Sequence, residues 1–218
     1  MNLNVDGRRV VGPLQGFGKM WQRTYRVRLE GAAATPVGVV EAWKENFGGF
    51  WPRVNRFYAP PAGIVPGEVA LLGSGGPGSR WFSTGVMVLY ADEESFTYMT
   101  PEGHPFSGWI TFSAYEDEDG TTVAQVQSLA RANDPIYELG FRVAGSTEQE
   151  RIWTHVLKSL AAHFGVNEPV TLEKVCVDPK LQWSQIKNVW HNAGARSMLY
   201  TVAGPGRWMR GLMRRRGT

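Results

Sequence analysis

The 218 residues include a single cysteine, Cys176, so no intrachain disulfide can form and no cysteine cluster can hold zinc. That thiol stands between Val175 and Val177, a setting that fits a packed, unreactive side chain better than a nucleophile. No stretch approaches the roughly 20 apolar residues of a membrane span. The N-terminus carries Asp6, Arg8 and Arg9 with no apolar run behind them, unlike a secretory signal, and a cytoplasmic address is expected. Histidine is sparse, and the four at 104, 155, 163 and 191 lack metal-ligand spacing. No serine-centred nucleophile elbow occurs. Neither a metal nor another cofactor is expected.

Acidic residues are missing from one stretch, residues 207–216, which holds Arg207, Arg210, Arg214, Arg215 and Arg216. Without those five arginines the chain has 18 basic and 20 acidic residues, so a net charge of +3 conceals a slightly acidic body with a basic tail. A nucleic-acid-binding face on the body is not expected. What the chain has in plenty is aromatic side chains, at 12% with 9 Trp, within a hydrophobic fraction of 43%. Such rings suit either a large core or the wall of a pocket for flat, apolar molecules.

Residues 1–20 are Gly-rich and weakly patterned, a loosely attached lead-in. From Trp21 the apolar residues Trp21, Tyr25, Val27 and Leu29 share one parity, with Gln22, Thr24, Arg26 and Arg28 on the other, which predicts a half-buried strand. Thr35-Pro36 reads as an N-cap followed by proline at the first helical position, and Val39, Val40, Trp43 and Phe47 continue at helical spacing to Gly48-Gly49. Five strands follow, at 68–72, 81–90, 95–100, 109–116 and 121–130. Their short connections, such as the solvated turn Asp117-Glu118-Asp119-Gly120, predict an antiparallel meander. Asp134-Pro135 opens a short helix. Ser146-x-x-Gln149 caps the longest helix, whose stripe Trp153, Val156, Leu157, Leu160, Ala161 and Phe164 needs a concave partner.

This order of elements resembles the START/Bet v 1-like superfamily of polyketide cyclase/dehydrase and lipid-transport proteins. Trp51-Pro52, Asp119-Gly120-Thr121-x-Val123 and Ala130-Arg131 agree with it locally. The resemblance covers residues 21–165 and implies an α+β helix-grip fold, with a curved antiparallel sheet wrapped around the long helix. It divides the chain into a lead-in (1–20), a ligand-binding domain (21–165) and a C-terminal extension (166–218) without a family counterpart. The implied function is binding or transport of a small hydrophobic ligand (lipid, isoprenoid, quinone or polyketide-like) in an internal cavity. Two alternatives stand beside it. One is a cyclase/dehydrase-type enzyme in which Tyr98, Tyr115, His104 or Arg131 polarises a carbonyl or moves a proton. The other is a partner-binding module with no ligand.

The last hairpin has two unlike faces if Asp117 pairs with Thr121. One carries Trp109, Thr111, Ser113, Tyr115, Val123, Gln125, Gln127 and Leu129; the other only Ile110, Phe112, Ala114, Ala124, Val126 and Ser128. A pocket for an apolar ligand with a few polar atoms wants the mixed face inward, and the resemblance favours that for Val123. A mixed face in solvent is the other reading. The expected ligand-binding residues are Trp51, Tyr98, Trp109, Tyr115, Gln125 and Gln127. Leu72-Gly73-Ser74-Gly75-Gly76-Pro77-Gly78 contains G-x-G-x-x-G, but a strand rather than a helix follows, so it reads as a flexible hairpin loop. In the tail, Trp208, Met209, Leu212 and Met213 fall opposite Arg207, Arg210 and Arg214 at helical spacing. That arm would suit an anionic membrane surface or a protein partner, placing the domain peripherally at a membrane.

Overall fold

The computed structural model describes residues 4–74, 82–144 and 147–202. Strands β1 (Val10–Val11) and β2 (Met20–Arg28) precede helix α1 (Pro36–Asn46). Strands β3 (Asn55–Tyr58), β4 (Val69–Ser74), β5 (Phe82–Ala91), β6 (Ser95–Pro101), β7 (Phe106–Glu116) and β8 (Thr122–Ala132) follow. Then come helices α2 (Pro135–Ala144) and α3 (Thr147–His163), strand β9 (Thr171–Asp178), a 3₁₀ helix (Trp183–His191) and α4 (Ala193–Val202). The strands form one antiparallel sheet in the order β3-β4-β5-β6-β7-β8-β2-β9, with β1 paired to β6. The fold is α+β helix-grip, as expected.

Local chemistry places the helices where the sequence suggests. The Thr35 hydroxyl accepts from the Gly38 N–H at 3.2 Å, capping α1, and Val39, Val40 and Trp43 turn inward. Asp134 caps α2 by accepting from the N–H groups of Ile136 and Tyr137 at 2.9 and 3.1 Å. On α3, Trp153, Val156, Leu157, Leu160 and Ala161 are buried and Phe164 partly so; the helix lies against β2 and β8. The hairpin β7–β8 turns at Gly120, whose φ of +79° is open to glycine at little cost, and the Asp117 N–H donates to the Thr121 carbonyl at 3.0 Å.

That pairing produces the two hairpin faces read from the sequence, but with the opposite sense. The small and apolar face points to the helices: Phe112 and Val126 are fully buried, and across the ladders Phe96, Phe112, Val126 and Tyr25 form one row beneath α1 and α3. The mixed face points outward. Gln125 accepts from Arg26 Nε at 2.8 Å, Gln127 donates to the Thr24 hydroxyl at 3.1 Å, and Thr97 and Thr111 lie 2.9 Å apart. The reason is packing: α1 and α3 fill the interior with Trp43, Trp153 and their neighbours, whereas cross-strand pairing near solvent satisfies the glutamine amides. Gln127→Ala should therefore lower stability by no more than about 1 kcal/mol in urea denaturation, the scale of one partly exposed hydrogen bond.

The segments flanking 21–165 belong to the same sheet. The lead-in is packed rather than loose: Val11 and Phe17 are buried, and β1 joins β6. At the other end β9 extends the sheet beyond β2. Cys176 lies on β9 and is exposed, so it is not the packed thiol that its valine neighbours suggest. No described helix is long and apolar enough to cross a membrane.

Candidate functional site

The six expected ligand-binding residues do not come together. Trp109 and Tyr115 stand on the outer face, 36% and 38% exposed, beside the outward Gln125 and Gln127. Trp51 and Tyr98 lie inside, where rings occupy the space: Phe47 packs on Phe57 at 4.7 Å and on Phe112 at 4.9 Å, Phe96 stacks on Phe112 at 4.8 Å, and Trp51 meets Trp153 at 5.5 Å. Under α1 and the first half of α3 these aromatic side chains pack on one another. The arm residues Arg207, Trp208, Met209, Arg210, Leu212, Met213 and Arg214 and the loop glycines Gly75, Gly76 and Gly78 lie outside the described residues.

One step along the sheet from the Phe96–Tyr25 row the character changes. The next row on the inner face runs Tyr98, Ile110, Ser128, Arg23 and Lys174 across five strands. Tyr98 Oη, Ser128 Oγ and Arg23 Nε are buried with no hydrogen-bond partner among the described residues, and so is Tyr25 Oη on the neighbouring row. The indole N–H groups of Trp43, Trp51 and Trp153 are unpartnered as well, so what sets this row apart is the arginine it contains. Burial raises the pKa of both tyrosines, so both hydroxyls stay protonated donors. Arg23 is 8% exposed and makes no salt bridge among the described residues; desolvation lowers its pKa, while Tyr25 and the nearby Glu150 carboxylate act against that shift. Its guanidinium lies 5.8 Å from the Trp21 ring centroid.

Beyond this row lies a cavity of about 220 Å³, walled by Trp21, Arg23, Phe106, Ala130 and Ala132 from the sheet and covered by Glu138, Phe141 and Arg142 of α2. Phe106 stacks on Phe141 at 4.5 Å, which fixes α2 over the sheet. Gly18 makes room at the rim: a Cβ there would stand 2.2 Å from Glu138 Oε2 and 2.8 Å from the Ala132 Cβ. Arg142 is paired to Glu138 at 2.8 Å, and Arg131 to Asp178. Lys19 and Arg23 are then the cations of this wall that form no salt bridge among the described residues, Glu150 acting on Arg23 only through space. The cavity therefore combines aromatic walls with positive charge held outside any salt bridge at one end.

The residues expected for a carbonyl-polarising enzyme are dispersed. Tyr115 is on the outer face. Arg131, 2% exposed, donates to the carbonyls of Gly18 and Lys180 at 2.8 and 3.0 Å and bonds Asp178, tying the lead-in, β8 and the end of β9 together. His104 is buried in the β6–β7 turn, with Nδ1 3.1 Å from both the N–H and the carbonyl of Phe106. Desolvation lowers its pKa to about 4, so it is neutral at pH 7 and not a rim base. A base depressed this way contributes stability that is present above its unfolded pKa of 6.5 and lost as pH falls toward 4. His104→Gln should remove an acid-driven loss of roughly 2 kcal/mol at pH 5, read as a flatter pH dependence of urea midpoints.

Arg23 was visible in the sequence as the one charged residue on the apolar parity of the first strand, between Trp21 and Tyr25. That interruption is the signal that a parity count passes over. Comparison with known proteins adds a family and a set of folds. A family model described as a domain of unknown function (DUF1990) matches residues 23–159, well over half of the chain. No curated protein matches it. Among solved structures, the di-domain ARO/CYC StfQ of the steffimycin biosynthetic pathway is similar at 12% identity and a TM-score of 0.49. The match covers 67% of this chain and 51% of StfQ, so this chain spans about half of that protein. Major latex-like protein 151 from Panax ginseng (14% identity, TM-score 0.39) is matched over 67% of this chain and 99% of its own. Ara h 8.0201 (12% identity, TM-score 0.42) is matched over 66% and 97%.

Proposed function

The chain belongs to the DUF1990 family, and we propose that it binds a small carboxylic acid with an apolar body in the cavity between α2 and the inner face of the sheet. The observation that carries this reading is Arg23: a buried arginine outside any salt bridge among the described residues, with only the Lys174-paired Glu150 acting on it from nearby, on the cavity wall, directly across the ladder from the unpartnered Ser128 hydroxyl. Burying an unpaired guanidinium is unfavourable for folding alone, and a ligand carboxylate would complete it with a charge-assisted, bidentate bond. Trp21, Phe106 and Phe141 offer the apolar body flat surfaces. Volume sets the size. At about 220 Å³ the space falls below the roughly 300–1,000 Å³ of drug-sized sites, which favours a compact acid over a diacyl lipid or a long isoprenoid.

The test is a titration of the full chain, followed by tryptophan fluorescence, with a small arylalkanoic acid and with the corresponding alcohol. Saturable binding of the acid, at least about tenfold tighter than the alcohol, is expected from one charge-assisted contact. Equal affinity for the two, or no saturation, would remove the carboxylate reading. Native mass spectrometry of gently purified protein checks the same claim without a chosen ligand: a retained mass should be that of a small acid.

A further inference from the structure

We propose that α2, the 3₁₀ helix Trp183–His191 and α4 together form a face that docks on an anionic lipid bilayer. Different observations carry this from those behind the acid site. Large apolar side chains stand outward on all three elements: Val143 is 81% exposed and Trp190 80%, with Leu139, Ile186, Met198 and Leu199 also exposed. On α2, Leu139 and Val143 are four residues apart, one helical turn, so they share a face. The three elements are held together by buried polar bonds. Asn192 donates to the Asp134 carboxylate at 2.8 Å, Asn188 to the Asn133 carbonyl at 2.9 Å, and the Gly194 N–H to the Tyr137 hydroxyl at 3.0 Å. The exposed residues are thus presented by a tied unit, and monomeric proteins seldom leave so much apolar surface without use.

Charge chooses the occupant. From Pro179 to Thr218 the sequence has no aspartate or glutamate, but it has Lys180, Lys187, Arg196 and the five arginines of 207–216. A second copy would bring the same cations against themselves. An anionic leaflet complements them, and tryptophans such as Trp190 suit the headgroup boundary. The run of positive charge therefore extends beyond the terminal arm into the folded helices that precede it.

The experiment is co-sedimentation of the full chain with phosphatidylserine-rich vesicles and with pure phosphatidylcholine vesicles. The wild type is compared with Val143→Asp/Trp190→Asp/Leu199→Asp and with a variant in which the five arginines of 207–216 are glutamine. The triple variant should keep the wild-type melting curve, because the altered side chains are exposed, and lose at least about tenfold in partitioning, since three apolar groups leave the interface and three acids enter it. The arginine variant should bind more weakly but still respond to the triple substitution. High salt should weaken the wild type, as the Debye length shrinks from about 8 Å to about 3 Å at 1 M. Undiminished binding by the triple variant, or no binding by the wild type, overturns the proposal. A wild-type dimer that the triple variant converts to monomer, with no vesicle binding by either, also overturns it and makes the face a contact between copies. Acid binding in solution is unaffected by any of these outcomes, so the two readings fail separately.

Discussion

Arg23→Met should raise the stability of the protein by about 1–3 kcal/mol while weakening small-acid binding roughly 10- to 100-fold. Both effects have one origin. The Arg23 guanidinium is buried at the cavity wall, forms no salt bridge among the described residues (the nearby Glu150 carboxylate is paired to Lys174), and leaves Nε without a partner. Methionine keeps an unbranched stem for packing beside Trp21 and removes the desolvated charge. An arginine serving the fold alone would show the reverse: its loss would lower the melting temperature and leave binding untouched. Arg23→Lys is the useful second variant. It keeps the charge but not the planar fork, so affinity should fall between the other two.

Arg131→Ala should be the more damaging change, lowering stability by roughly 3 kcal/mol in urea denaturation. Truncation strands the carbonyls of Gly18 and Lys180 and the Asp178 carboxylate together. The figure sits at the low end for a broken buried pair because Asp178 is 26% exposed while Arg131 is 2% exposed. The hydrogen bond from Arg131 holds the Asp178 carboxyl below its usual range. A depressed carboxylate contributes stability above its unfolded pKa that is lost as pH falls, so the gap between wild type and Arg131→Ala should narrow in acid. Both arginines line the cavity, but Arg131 is committed to holding chain segments, whereas Arg23 forms no salt bridge among the described residues.

Much of the fold was legible because several signals agreed locally. Thr35-Pro36 and Asp134-Pro135 marked two helix starts, the stripe from Trp153 to Phe164 marked α3, and the Asp117–Thr121 turn set the register of β7 and β8. The sense of that hairpin was not legible. Neither face carries charge between Trp109 and Tyr115, so only the rings that α1 and α3 bring to the interior decide which side is buried. Strand β9 escaped because it is exposed on both faces: Leu172 and Lys174 point one way, Glu173 and Val175 the other, and no alternation results. The site was missed for a related reason. Its polar row is assembled from Tyr98, Ser128 and Arg23 on three strands, and only the cross-strand register reveals that they are neighbours.

The most direct test of the acid site is the side-chain resonance of Arg23. In ¹⁵N-labelled full chain, the Arg23 Nε–H signal, assigned by its absence from Arg23→Met, should shift in a saturable way as a small arylalkanoic acid is added. The Nε–H signals of Arg26 and Arg28, which already pair with Gln125 or with Asp117 and Asp119 on the outer side, should stay in place. An Arg23 signal that does not move while the acid binds would contradict the account.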